Sequence, residues 1–241
     1  MIPVRDHNPT AGRVWVVWTL TAACVVGFVG PWALAGWAGI AQAAWTGGLV
    51  PAAWWTDPWM SAPRLVLHAF LHGGWAHLIG NLVFLVVFGD NIEDRLGHGR
   101  FLAFYVSAAV VAGLAHAVAD PSSALPLVGA SGAISAVMGA YLRYYPRREV
   151  QTVVVPLILP WMVLRVLGRV PAFFLWSLPA WLYLAYWAAI QLLQGVASIE
   201  MVRTTTATGD VAWWAHVGGF AFGALAAPLF AGRQRAGSIR P

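Results

Sequence analysis

The stretch Val150 to Val170, VQTVVVPLILPWMVLRVLGRV, decides how this chain is laid out. It is apolar enough to cross a bilayer, yet Pro156 and Pro160 interrupt it and Arg165 and Arg169 lie at its end. A transmembrane helix needs about 20 predominantly apolar residues, and an interior proline removes a backbone donor. The positive-inside rule settles the choice. All 14 basic residues are arginines. If the stretch does not cross, there are six spans, and every arginine except Arg64 and Arg203 falls on the cytoplasmic side. If it does cross, Arg165, Arg169 and the tail arginines Arg233, Arg235 and Arg240 move to the other side. The reading is six spans with Val150 to Val170 folded against the cytoplasmic face and both termini cytoplasmic.

Working outward, the composition demands a membrane. Of 241 residues 60% are hydrophobic and only 10% charged, against about 25% charged in a soluble domain. Such a chain cannot coat a soluble particle, whereas lipid-facing surface needs no polar coat. The net charge of +5 is therefore read as topology and not as a nucleic-acid footprint. The first span is Val14 to Gly30, preceded by Arg5 and Arg13. Residues 37–60 carry five tryptophans with glycine and proline, which suits an interfacial loop. Span two is Gly74 to Gly89, span three Phe101 to Ala119, span four Leu127 to Tyr145, span five Phe174 to Val196 and span six Val211 to Ala231. The expected fold is an all-α polytopic six-helix bundle over residues 14–231, with a cytoplasmic tail at 1–13 and a basic cytoplasmic tail at 232–241. The single cysteine, Cys24, lies within an apolar run and does not suit a nucleophile.

Few polar residues remain inside the spans, and intramembrane polar groups are functional candidates by default. They are His77, Asn81, His116, Ser131, Ser135, Gln191, Gln194 and His216. Ser131 sits between Gly129 and Gly132 near the outer start of span four, where helix amides favour negative charge and glycines admit close approach. The alternative is a small residue serving helix packing, together with Gly132, Ala136 and Ala140. His216 precedes Gly219 and Gly223 on one helical face, so the imidazole points where the glycines allow contact. It could equally be a hydrogen-bonded structural histidine. His77 and Asn81, four apart, share a face and can offer donors to one point or act as interhelical glue. His68, His72 and His77 lack the carboxylate or thiol that would complete a metal site, and no metal is expected there.

Spans two, four and six run inward, so Asn81, Ser131 and His216 lie at nearly one depth, about one to two turns below the outer surface. All nine acids fall in tails or loops, so the expected array is a Ser131/His216 dyad. The oxyanion donors would be the Ser131 amide and the His77 and Asn81 side chains.

These residues carry a resemblance. Gly-x-Ser-Gly at 129–132, Ala-His-x-x-Gly-x-x-x-Gly at 215–223 and His-x-x-x-Asn at 77–81 occur in order on spans four, six and two. The chain resembles a rhomboid intramembrane serine protease over Val14 to Ala231. The resemblance implies cleavage of single-span transmembrane substrates near their outer boundary, in contact with membrane lipids and without a cofactor. The six-span form is similar to bacterial members and implies the plasma (inner) membrane. Two features depart from the pattern. The first-loop Trp-Arg pair of many relatives is absent, Trp59 and Arg64 being only loosely equivalent. Ser135 also stands where some relatives place an aromatic that stacks on the catalytic histidine. A catalytically silent relative acting in substrate binding or quality control is the alternative, although such chains usually lack the serine or histidine. A channel would need polar groups across the whole bilayer.

Overall fold

The computed structural model describes residues 1–10, 12–153, 158–168, 175–204 and 212–231. Strand β1 (Ile2–Asp6) leads into the long helix α1 (Trp15–Gly47). Short helices α2 (Pro51–Thr56), α3 (Pro58–Ser61) and α4 (Arg64–Leu67) follow, then a 3-10 turn at His68–Phe70. Helices α5 (Trp75–Leu96), α6 (His98–Ala119) and α7 (Ser131–Tyr144) form the next part of the bundle. Strand β2 (Glu149–Val153), helix α8 (Ile158–Val166) and strand β3 (Trp176–Pro179) precede α9 (Ala180–Thr204) and α10 (Trp213–Phe230).

Helix α7 is the hub. Every residue from Gly132 to Tyr141 is buried, as expected of a helix apolar all round, and it packs against α5, α6, α9 and α10. The outer surface is apolar instead: Leu34, Leu193, Leu225 and Leu229 are exposed at 70% or more, which only a lipid environment tolerates on this scale. Helices α1, α5 and α6 are long and apolar enough to cross a membrane.

The architecture departs from an all-α bundle. The segment 2–6, within the expected N-terminal tail, is an edge strand of a three-stranded sheet of order β1-β2-β3. Ile2 pairs antiparallel with Val153 and Asp6 with Val150, while Thr152 pairs with Trp176. Val150, Thr152 and Val153 are buried, and their β-branched side chains suit a pleated, half-buried surface. Within Val150 to Val170 the chain is thus strand and then a nine-residue helix, α8, about 14 Å long at 1.5 Å rise per residue and too short to span. Residues 154–157 and 169–170 of that stretch, and the tail 232–241, lie outside the described residues.

Helix boundaries shift as well. The tryptophan-rich segment expected to be loop is helical up to Gly47, after a break at Ala35 and Gly36. Gly36 takes φ +58, a left-handed conformation that glycine adopts without steric cost. The helix then folds back so closely that a Cβ on Gly39 would collide with the Pro31 carbonyl. Helix α5 runs past Gly89 through Asp90, Glu93, Asp94 and Arg95 to Leu96, because Glu93 is fully buried and accepts hydrogen bonds from the Val16 and Val17 amides at 2.9 and 2.7 Å. Its carboxylate satisfies two of the free donors at the start of α1. Residues 127–130, assigned from the sequence to span four, precede α7, which begins at Ser131.

Candidate functional site

The approach to Ser131 is held from two sides. Leu49 and Leu127 exchange backbone hydrogen bonds of 3.1 and 2.8 Å, and the Gly129 amide donates to the His68 carbonyl at 2.9 Å. Gly129 has φ +126, a conformation side-chain-bearing residues rarely adopt. A Cβ there would stand 2.6 Å from His77 Nε2 and 3.6 Å from Ser131 Oγ. The missing side chain therefore leaves open the space between the imidazole of α5 and the hydroxyl of α7. Ser131 is the first residue of α7, so its hydroxyl sits among amides that have no intrahelical acceptor.

Small residues line the contact between α7 and α10. A Cβ on Gly219 would collide with the Gly132 carbonyl, and one on Gly223 with the Ala136 carbonyl. From the other side, a Cβ on Gly139 would strike the Phe220 carbonyl. Backbone thus meets backbone along the α7/α10 seam, as small residues allow between membrane helices. This contact sets His216 in the first turn of α10 opposite the start of α7, with Nε2 2.7 Å from Ser131 Oγ.

The other imidazole nitrogen is engaged too. His216 Nδ1 lies 2.7 Å from Gln191 Oε1 on α9, and His216 and Gln191 are both buried. The Trp187 ring lies 5.9 Å from the imidazole with the planes inclined at 40°, and Trp213 meets it edge-on at 6.1 Å. These two indoles, from α9 and α10, flank the imidazole that an aromatic at position 135 would otherwise contact. Ser135 instead donates to the Ser131 carbonyl at 2.6 Å. Sequence reasoning singled out Gln191 as an intramembrane polar group but gave it no role, and it passed over Trp187 and Trp213. The Trp187/Gln191 spacing of four residues, one helical face, was the available signal.

His77 and Asn81 occupy successive turns of α5, which packs against α7. Asn81 is buried, and its Nδ2 finds no acceptor among the described residues. A buried donor without an acceptor is costly, and sites that bind developing charge keep such donors. The nearby histidines are otherwise placed. His68 Nε2 lies 3.2 Å from the Ala109 carbonyl, and burial pushes its pKa down to about 4, so the ring is neutral and donates there. His72 meets the His77 ring edge-on at 5.2 Å and is likewise held neutral by burial, at about 4. Among the described residues no three histidines, cysteines or acids group as a metal site.

Comparison with known proteins identifies the family. The Rhomboid domain family model matches residues 54–233, which include His77, Asn81, Ser131 and His216. The chain is 33% identical over 95 residues to the putative rhomboid protease YdcA of Bacillus subtilis, covering 39% of this chain and 43% of that protein. It is 38% identical over 89 residues to the rhomboid protease GluP of the same organism, 37% of this chain and 15% of that protein. Identity to the rhomboid protease GlpG of Yersinia pestis is 31% over 99 residues, 39% of this chain and 34% of the relative. These alignments span less than half the length of each relative. The family match, in contrast, takes in α5, α6, α7 and α10 with the whole seam that carries Ser131 and His216, and the chain belongs to the rhomboid family.

Proposed function

We propose that this chain is an intramembrane serine protease that hydrolyses peptide bonds of single-span transmembrane substrates through a Ser131/His216 dyad. One observation carries the reading: the 2.7 Å contact between Ser131 Oγ and His216 Nε2 at the start of a buried helix. A serine hydroxyl is a weak nucleophile until a base within hydrogen-bond reach takes its proton. In this reading Nε2 accepts the Ser131 proton as Oγ bonds to the substrate carbonyl carbon, and the carbonyl oxygen becomes an oxyanion. The Ser131 amide, the His77 ring and the Asn81 amide donate to that oxygen. His216 then returns the proton to the leaving amine as the C–N bond breaks. Water, deprotonated by the same imidazole, hydrolyses the acyl-enzyme. No cofactor takes part.

The reading includes six spans in a bacterial plasma membrane, with both termini cytoplasmic and the dyad near the outer boundary. The first-turn positions of His77, Ser131 and His216 on α5, α7 and α10 support a common depth. Arginine asymmetry supports the orientation.

Two experiments test this. In proteoliposomes carrying a single-span reporter, the wild type cleaves while Ser131→Ala and His216→Ala do not, although both remain folded. Cleavage retained by either variant overturns the dyad. For topology, Arg169→Cys and Arg235→Cys in a Cys24→Ser background resist an impermeant thiol reagent in intact cells and react after lysis. Arg203→Cys reacts without lysis. The opposite pattern would put His216 on the wrong side of the bilayer from Ser131.

A further inference from the structure

No carboxylate contacts the candidate base among the described residues. Among the described residues, the hydrogen-bond partners of the His216 ring are Ser131 at Nε2 and Gln191 at Nδ1, each at 2.7 Å. The carboxamide of Gln191 has two ends of opposite character, and its surroundings distinguish them. Gln191 Nε2 faces the Trp187 carbonyl at 3.5 Å, a group that can only accept. The amide nitrogen, a donor, therefore belongs on that side, and the carbonyl oxygen Oε1 is left facing His216. An oxygen there accepts, so Nδ1 must carry the proton. In the neutral ring this leaves the Nε2 lone pair directed at the Ser131 hydroxyl, the tautomer a general base requires.

We propose that Gln191 is the positioning residue for His216: its side-chain carbonyl fixes the imidazole tautomer and ring orientation, and makes α9 a third element of a Ser131-His216-Gln191 hydrogen-bonded array. The task is the one a buried carboxylate performs in serine hydrolases with a full triad, holding Nδ1–H and the ring plane. Gln191 does so without placing a charge in the bilayer, where ionised groups are expensive. The surroundings suit an orienting role. Gln191 is buried at 6% exposure, and Trp187, one turn earlier, packs against both the imidazole and Phe220, with ring centroids 5.9 Å away in each case. Indole and carboxamide on one face of α9 thus fix the plane and the proton of the same ring. Between α9 and α10 lies an apolar cleft of about 240 Å³, lined by Trp187, Gln191, Leu192, Val217 and Phe220. The orienting hydrogen bond therefore bridges the two helices beside a gap in their packing.

The inference rests on the protease reading, and its test separates the two. Gln191→Leu keeps the approximate volume and removes the acceptor; Gln191→Glu keeps an acceptor oxygen. Reporter cleavage by Gln191→Leu is expected to lose about 10- to 100-fold in kcat with KM within about twofold, since orientation acts on the chemical step and not on substrate binding. Gln191→Glu is expected to recover most of that loss. The second readout needs no turnover: nitrogen NMR of histidine-labelled protein in lipid nanodiscs. The wild type is expected to show His216 with a protonated Nδ1 and an unprotonated Nε2, and Gln191→Leu a mixture of tautomers. An active wild type whose kcat and His216 tautomer are both unchanged by Gln191→Leu overturns the positioning role, as does equal loss in the Leu and Glu variants with an unchanged tautomer. A locked tautomer that depends on Gln191 in a protein that cleaves nothing supports the contact and counts against the protease.

Discussion

The two ends of helix α7 handle buried polar groups in opposite ways. At the C-terminal end, the inner end in the proposed orientation, Asp6, Asn91 and Glu93 are all hydrogen-bonded, and the Tyr144 hydroxyl is the exception, with no hydrogen-bond partner among the described residues. Asp6 Oδ2 accepts from the Tyr141 hydroxyl at 2.6 Å and from Asn91 Nδ2 at 2.8 Å, tying β1 to α7 and α5. Asn91 donates as well to Asp90, and Glu93 accepts from the start of α1 and contacts His98 Nδ1 at 2.6 Å. At the N-terminal end, the outer end in the proposed orientation, Ser131 lies 2.7 Å from His216, Gly129 leaves open the space between Ser131 and His77, and Asn81 keeps an amide without an acceptor among the described residues. Saturated networks rigidify a fold, whereas an unfilled donor beside a nucleophile is what a site for transient negative charge requires. The inner end therefore reads as structure and the outer end as chemistry, although both are polar clusters assembled from several elements around one bundle.

Variants can break this contrast, and the largest effect is expected where both ends depend on one seam. Gly219→Val or Gly223→Val drives a side chain into the α7 backbone. It should abolish cleavage and lower thermal stability together, because overpacking costs about 1 to 3 kcal/mol or more and displaces His216. Full activity in either variant would show that the seam does not set the dyad. At the outer end, Asn81→Ala and His77→Ala should each lower kcat by about 10² to 10³-fold, the usual effect of one lost oxyanion donor. Their melting temperatures should stay near that of the wild type. Unchanged turnover in both, and in the double variant, removes these residues from the site.

The inner end should behave in the reverse sense. Glu93→Ala strands the Val16 and Val17 amides, at about 1 to 3 kcal/mol for each buried donor left unpaired. It should lower the unfolding midpoint while Ser131-dependent turnover persists at low temperature; a variant as stable as the wild type would show that the capping contact contributes nothing. The smallest effect concerns Asp6. Burial raises its carboxyl pKa despite the Tyr141 hydrogen bond. The folded chain then holds this proton more tightly than the unfolded chain, so stability declines as pH rises from about 4, the ordinary carboxyl range, through the raised folded value. Asp6→Asn should flatten that part of the melting-temperature profile without altering activity; an identical slope would contradict the assignment.

What the sequence made legible differs between these ends for physical reasons. The outer site lay in short motifs, because glycine spacing and helix periodicity state locally which face meets a neighbour. Gly219, Gly223 and His216 could be placed on one stripe before any neighbouring helix was known. Gln191 could not, since its partner depends on how α9 is rotated against α10, a tertiary fact that no local pattern encodes. The sheet was missed because Ile2 pairs with Val153 and Asp6 with Val150, contacts too distant in sequence for any short window to reveal. Glu93 lies beyond the apolar run Gly74 to Gly89, and only its contact with the first turn of α1 explains why α5 continues through it. The helical extension of α1 was hidden because a tryptophan- and glycine-rich segment reads as loop, whereas a single left-handed glycine, Gly36, suffices to redirect a helix.

The central claim is that His216 activates Ser131 as a nucleophile. The most direct test is covalent labelling of the membrane-reconstituted protein by a fluorophosphonate probe, read by intact mass and by mapping the modified residue. The account predicts one adduct on Ser131 in the wild type, none in Ser131→Ala, and labelling slowed by orders of magnitude in His216→Ala, with all three proteins folded. A folded wild type that takes no label, or labels equally well without Ser131 or without His216, would contradict it.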